Sequence, residues 1–254
     1  MDFDNTTQQG TITVHKTGEI FQSVATSVMT VNEKDYSVYA PGFATGSLRG
    51  AVFEIKAAPG YVINRKPQIV ELTYAGQEAE VRDTVKTSFT NKYQGVSIHL
   101  TKYMEHDEQY GVGDDSAVKN VVFGLYADEN IEAADGSSIP ANGLVSVIGI
   151  GEDMTAKFTD KLPFGRYYVQ EISTDEKYVI SGEKHIVTFE YAGQDIKTVK
   201  IDGGKFDNEL KRGSVIGIKV DKHDKPLANA MFGIFKTNCK SFTQRTLLQL
   251  RSPM

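Results

Sequence analysis

The sequence has a single cysteine, no tryptophan and no long apolar run. Because a disulfide needs two cysteines, Cys239 cannot form one within the chain. No stretch approaches the roughly 20 apolar residues of a membrane-spanning helix, so we expect no membrane span. The first residues also lack a basic segment followed by an apolar core, and we expect any export signal or anchor to lie outside this sequence.

A basic excess is missing as well. The chain has 28 Lys and Arg against 33 Asp and Glu, and its formal net charge is -5. Proteins that bind nucleic-acid phosphates normally carry a basic surface, so no nucleic-acid partner is expected. The histidines lack metal-ligand spacing, and the acidic stretch 105–115 could bind calcium but is more typical of a solvated loop. We therefore expect no metal and no cofactor.

Residues that favour strands and turns are abundant. The chain has 23 Gly, 12 Tyr and 13 Phe among many Val, Ile and Thr, without a long helix-forming stretch. The composition therefore predicts an all-β fold. At 254 residues the chain is long enough for more than one ordinary domain.

The sequence also repeats itself. Pairs of matching segments recur at one constant offset: 61–63 with 178–180, 74–77 with 191–194, Phe89 and Asn91 with Phe206 and Asn208, and Lys102 with Lys219. This repeat divides the chain into three units, 1–94, 95–211 and 212–254. We expect a shortened β domain, a complete β-sandwich, and the first strands of a third domain with an irregular, poorly ordered tail.

Each unit opens with a glycine-led strand that ends in a lysine. These strands cover residues 10–16, 95–102 and 213–219. In the first of them, alternation puts Ile12, Val14 and Lys16 on one face.

The same alternation predicts three inward-facing polar side chains in the middle unit. Lys102, Glu171 and Asn208 share the parity of apolar neighbours in their own strands, which are Val96, Ile98 and Leu100; Tyr167 and Val169; and Phe206 and Leu210. A lone charge in an apolar interior is costly, so such groups are paired, neutralised or used. A neutral lysine amine could attack the asparagine carboxamide while the glutamate moves protons, with loss of ammonia. A purely structural hydrogen-bonded network of the three groups fits the pattern too.

These motifs resemble the Cna B-type, or SpaA-type, isopeptide-forming domains of Gram-positive pilins and surface adhesins. Residues 97–102, SIHLTK, resemble the family's lysine strand, and residues 162–171, LPFGRYYVQE, resemble its Leu-Pro-x-Gly-x-Tyr…Glu segment. The resemblance implies tandem β-sandwich domains of Ig-like or prealbumin-like form. It also implies an isopeptide cross-link between Lys102 and Asn208, with Glu171 as the catalytic acid and proton shuttle.

The first unit departs from the family pattern. Lys16 and Asn91 occupy the cross-link positions and Glu54 that of the catalytic acid, but two or three strands are missing relative to the middle unit. A second cross-link between Lys16 and Asn91, assisted by Glu54, is a further expectation. The third unit has Lys219 but no acceptor asparagine strand, so no bond is expected there.

The resemblance implies a stalk or spacer module of an extracellular, wall-attached surface protein, in contact with neighbouring domains of the same protein. The bond forms once, so this is self-modification and the protein is not expected to be an enzyme. Two other functions stay open. One is an adhesin whose loops 103–119 and 128–142 contact a host matrix protein or glycan. The other is an accessory β-sandwich of a secreted hydrolase.

Overall fold

A computed structural model describes residues 10–48, 57–71, 83–108, 111–113, 115–235 and 247–251. Over these residues the chain forms fifteen strands and one short 3-10 helix, Asp115–Asn120. The prediction of an all-β fold is confirmed. Within the same residues, no helix is long and apolar enough to cross a membrane.

The first unit contributes one sheet. Its strands are β1 (Gly10–Val31), β2 (Lys34–Ser47), β3 (Tyr61–Val62) and β4 (Asp83–Tyr93). They are ordered β2-β1-β4-β3. The long strand β1 pairs antiparallel with β2 over its second half and parallel with β4 over its first half.

The middle unit is a sandwich of two sheets. Its strands are β5 (Gly95–Met104), β6 (Val122–Ala127), β7 (Ile131–Glu132), β8 (Ser138–Ile139), β9 (Leu144–Gly149), β10 (Thr155–Phe158), β11 (Gly165–Ser173), β12 (Lys184–Phe189) and β13 (Thr198–Asn208). One sheet is ordered β10-β5-β13 and the other β12-β11-β6-β9, while β7 and β8 form a separate ribbon. The first and last strands of the unit, β5 and β13, pair in parallel.

Alternating apolar side chains of both sheets fill the space between them. Ile98 on β5 and Phe206 on β13 face Phe123 and Leu125 on β6, and all four are 0% exposed. Alternation along each strand therefore places one apolar face against the other and leaves the opposite faces to solvent or to other parts of the chain.

The sheet of the first unit packs on the middle unit. Tyr36 and Val38 on β2 are buried in one cluster with Val122 and Val147 of the middle unit. Among the described residues, the first unit has no second sheet of its own. The expected inward face of its opening strand is therefore only partly covered, and Ile12, predicted to face inward, is 47% exposed.

Aromatic rings and a buried glutamine join the two units. Tyr93, at the end of β4, lies 4.6 Å from the Phe164 ring of the middle unit, and its hydroxyl accepts a hydrogen bond from the Phe164 N–H at 3.0 Å. Gln94 is 0% exposed, and its Nε2 donates to the carbonyls of Gly193 at 3.0 Å and Ile196 at 2.6 Å. Because the glutamine is buried and hydrogen-bonded, the chain crosses between the units in a fixed conformation.

The third unit differs from the sequence prediction. No strand forms over residues 213–219, where an opening strand was expected, and Ile216 and Ile218 are 88% and 73% exposed. In the middle unit, the equivalent strand β5 lies between β10 and β13. In the described part of the chain no strand lies beside residues 213–219 in this way, so this segment has no ladder partner. The tail was expected to be irregular, yet Leu247–Arg251 forms strand β15, which pairs antiparallel with β14 (Phe232–Phe235).

We expect Val38→Ala to lower the free energy of unfolding by about 2 kcal/mol, because it removes two carbons from the contact between the units and leaves a cavity. Urea unfolding measures this change. Val28→Ala is the matched control, since Val28 belongs to the same β1–β2 hairpin but is 62% exposed. If Val38→Ala and Val28→Ala lose the same free energy of unfolding, the hairpin does not pack on the middle unit.

Candidate cross-linking site

Three polar side chains of the middle unit meet inside its core. Lys102, Glu171 and Asn208 are 0%, 4% and 2% exposed. The Lys102 Nζ lies 3.6 Å from Glu171 Oε1, and the Asn208 Nδ2 lies 2.9 Å from Glu171 Oε2. The structure thus brings together the three residues that strand parity predicted to face inward.

Strand register places the lysine and the asparagine beside each other. On the parallel pair β5–β13, Lys102 is opposite Phe206 and Asn208 is opposite Met104. The two residues are therefore diagonal neighbours on the same face of one sheet, close enough for long side chains to touch. Glu171 reaches them from β11 in the facing sheet.

Burial controls the electrostatics of the lysine. Loss of solvent lowers the pKa of Lys102, and the nearby carboxylates of Glu171 and Asp207 oppose this shift only in part. Its Nζ donates a hydrogen bond to the Phe206 carbonyl at 3.3 Å. A lower pKa increases the share of neutral amine, which is the nucleophilic form.

Glu171 and Asn208 are held by the backbone of a neighbouring segment. The Ser181 N–H donates to Glu171 Oε2 at 2.7 Å, and Asn208 Nδ2 donates to the Val179 carbonyl at 2.5 Å. In the described part of the chain, Asn208 Oδ1 is buried without a hydrogen-bond partner. Glu171 therefore lies next to the amide nitrogen, where a proton from the carboxyl group would turn that nitrogen into a leaving group.

The first unit repeats half of this arrangement. On the parallel pair β1–β4, Lys16 is opposite Phe89 and Asn91 is opposite Gly18, which is the register of the middle unit. Lys16 Nζ donates to Asn91 Oδ1, Asn91 is 1% exposed, and burial lowers the pKa of Lys16. Glu54, the expected acid, lies outside the described residues.

Two carboxylates that follow the lysines in the sequence were not assigned a role in the sequence analysis. Glu105 accepts a hydrogen bond from the Leu210 N–H at 2.7 Å, and Glu19 accepts one from the Tyr93 N–H at 3.2 Å. Each glutamate follows its lysine by three positions, so the repeated Lys-x-x-Glu pattern was a signal visible in the sequence.

No metal-binding cluster of His, Cys, Asp or Glu side chains is found in the described part of the chain. The acidic stretch after β5 begins with Glu105, which pairs with Arg212. The bonding capacity of this carboxylate is thus taken up within the protein.

No protein-family model matches the chain, and a search of curated proteins gives no match. Among solved structures, the chain is similar to the TIE protein of Bacillus anthracis, with 20% identity and a TM-score of 0.49 over 94% of this chain and 42% of that one. The chain thus spans less than half the length of that protein.

Two pilus proteins are similar as well. The minor pilin GBS52 of Streptococcus agalactiae has 16% identity and a TM-score of 0.31 over 73% of this chain and 72% of that one. A C-terminal fragment of the pilus adhesin SpaC from Lactobacillus rhamnosus GG has 9% identity and a TM-score of 0.36 over 82% of this chain and 100% of the fragment.

The lowered pKa of Lys102 predicts how stability depends on pH in Asn208→Ala, where the amine has no amide to attack. Between the lowered folded pKa and the usual value of 10.5, the unfolded chain binds one more proton than the folded chain. Stability therefore rises with pH through that interval. Urea midpoints measured from neutral pH to about pH 10 check this, because the unfolded lysine titrates near there.

The double variant Asn208→Ala/Lys102→Met is the control for this measurement. It lacks the buried amine and should give a flatter pH profile. The same slope in both variants would contradict the assignment of the titration to Lys102.

Proposed function

We propose that the chain is a stalk module of a Gram-positive cell-surface protein, and that its middle unit is closed by an isopeptide bond between Lys102 and Asn208. The observation that carries the proposal is the meeting of one amine, one carboxyl group and one carboxamide in an apolar core. Keeping a lysine there as an isolated ammonium is unfavourable by several kcal/mol, and the bond removes that charge permanently.

The reaction needs no co-reactant. The neutral Lys102 amine attacks Cγ of Asn208, and the new C–N bond forms as the bond to Nδ2 breaks. Glu171 takes a proton from the attacking amine and passes a proton to the departing nitrogen, so its side chain ends in the state in which it began. The products are a secondary amide and one ammonia. Because each chain reacts once, the process is a self-modification.

The position of the bond suits a load-bearing module. Lys102 lies on β5 and Asn208 on β13, which are the first and last strands of the unit. Tension that enters at one end of the unit would leave at the other through the covalent bridge. The two sheets between these residues would then carry little of the load.

The first unit is proposed to contain a second bond, between Lys16 and Asn91. The shared register of β1–β4 and β5–β13, the contact between Lys16 Nζ and Asn91 Oδ1, and the burial of Asn91 support it. Glu54 is the proposed acid for this bond. The two bonds would lie in series along the chain.

We propose an extracellular, wall-attached location, with neighbouring domains of the same surface protein as partners. The stalk role is favoured over the adhesin role by the loop 128–142. The N–H groups of Ala134 and Asp135 in that loop donate to the carbonyls of Phe21 and Gln22 on β1 at 3.1 Å each. A loop held against the first unit is less free to contact a host molecule.

Intact-mass spectrometry of the purified chain tests the cross-link. We expect the wild type to be lighter than its sequence by one ammonia for each bond formed. Lys102→Ala and Glu171→Ala should retain the ammonia of the middle unit, while Lys157→Ala, which removes an exposed lysine of the same unit, should not. A wild-type chain that is folded but has its full sequence mass would refute the proposal.

The bond should also stabilise the middle unit. It closes a loop of about a hundred residues, and the loop-entropy relation gives about 4 to 5 kcal/mol for such a loop. We expect Lys102→Met/Glu171→Gln, which cannot cross-link and buries no unpaired charge, to lose a free energy of unfolding of this order in urea. A double variant as stable as the wild type would contradict a covalent closure.

A further inference from the structure

Each of the two lysine–asparagine pairs is accompanied by a glutamate in an equivalent position. In the middle unit, Glu105 follows Lys102 by three positions and accepts the N–H of Leu210, two positions after Asn208, at 2.7 Å. In the first unit, Glu19 follows Lys16 by three positions and accepts the N–H of Tyr93, two positions after Asn91, at 3.2 Å. The same bond thus joins the opening strand to the closing strand in both units.

A cation holds each glutamate in place. Glu105 Oε1 pairs with Arg212, and Glu19 Oε2 lies 2.7 Å from the Nζ of Lys161. The hydrogen bond from Arg212, followed by that from the Leu210 N–H, lowers the pKa of Glu105. The carboxylate is thus charged at neutral pH, which strengthens its bond to the backbone.

Glu105 holds the closing strand with its backbone as well. Its own N–H donates to the Asn208 carbonyl at 2.9 Å, while its side chain holds the N–H of Leu210. The residues on both sides of Glu209 are therefore hydrogen-bonded to Glu105, which directly follows the opening strand.

The register of the closing strand at Asn208 rests on its last four ladder pairs, and the contacts of Glu105 extend that pairing past the end of the strand. The strands β5 and β13 are joined by the rest of the unit and not by a tight turn, so no turn geometry fixes their register. The register also shifts between Asp202 and Lys205, just before the asparagine. Pairing upstream of that irregularity does not determine where Asn208 lies.

A slip of one residue would turn the Asn208 side chain to the opposite face of the sheet. The reaction of the proposed function requires the carboxamide to lie within contact of the Lys102 amine, and small misplacements of reacting groups are costly. The third unit, where no bond is expected, has no glutamate at the equivalent position. Lys222 stands three positions after Lys219, and no acceptor strand pairs with the Lys219 segment in the described residues.

We propose that Glu105 is a positioning residue for cross-link formation, which holds the end of the closing strand in the register that brings Asn208 to Lys102, and that Glu19 has the same role in the first unit. This inference rests on the proposed function. The Glu105 carboxylate itself takes no part in the proton transfers that form the bond.

The test starts from chain that has never folded and still has its full sequence mass, taken from inclusion bodies directly into denaturant. This chain is refolded by dilution, and mass spectrometry follows the rate of ammonia loss while tyrosine circular dichroism reports folding. We expect Glu105→Ala to slow ammonia loss in the folded chain roughly 10- to 100-fold, as for a displaced reacting group. Glu105→Gln keeps an acceptor oxygen and should react faster than Glu105→Ala. Glu190→Ala, which removes an exposed carboxylate of the same unit, should react at the wild-type rate.

Arg212→Met is a second variant that leaves the core untouched, since it removes only the exposed cation that restrains Glu105. It should slow the reaction less than Glu105→Ala. Urea midpoints of Glu105→Ala in a Glu171→Gln background, which forms no bond, report any general loss of stability separately.

The outcomes separate the two proposals. A folded wild type that loses no ammonia refutes the bond itself. If the wild type cross-links and both Glu105→Ala and Arg212→Met lose ammonia as fast as the wild type, the role of Glu105 is overturned and the bond itself stands. A lower urea midpoint with an unchanged reaction rate assigns Glu105 a structural role only and also overturns the inference.

Discussion

A primary amine enclosed in an apolar core is the constraint on which the middle unit depends. Lys102 is 0% exposed, and its Nζ donates to the Phe206 carbonyl and lies 3.6 Å from Glu171 Oε1. Any arrangement that moved Glu171 away would leave the amine with the Phe206 carbonyl alone, and a buried ammonium without a counter-charge costs several kcal/mol. The facing sheet must therefore hold β11 in one position relative to β5. Tight packing between the two sheets requires this alignment, and the polar cluster requires the same one.

The parallel pairing of first and last strands explains why this cluster is non-local. Parallel strands cannot be joined by a tight turn, so the chain between β5 and β13 forms the remaining strands of the sandwich before it returns. The cluster is complete only when the unit is closed, because Asn208 arrives last along the chain. The same holds for β1 and β4 in the first unit, where Asn91 lies near the end of the closing strand of a sheet that packs in part on the middle unit. Closure of each unit and assembly of its polar cluster are one event.

Strand alternation predicted the facing of Lys102, Glu171 and Asn208, since a period of two fixes which side of a strand a residue occupies. It could not predict what covers that side. Ile12 has the inward parity of its strand but is 47% exposed, because a second sheet of the first unit is not found among the described residues. Residues 213–218 have strand-forming composition but no ladder partner in the described part of the chain. Parity is local information, whereas burial and pairing depend on partners elsewhere in the chain.

The junction between the units is where non-covalent contacts matter most under load. If both proposed bonds form, tension passes from Lys16 to Asn91 and from Lys102 to Asn208, and only the short stretch from Asn91 to Lys102 remains in the path between them. That stretch contains Tyr93, which packs on Phe164, and the fully buried Gln94. A covalent bond cannot shield these residues, so their resistance to extension has to come from ring packing and from hydrogen bonds shielded from water. The aromatic rings and the buried amide are thus concentrated at the one place between the two units that neither cross-link protects.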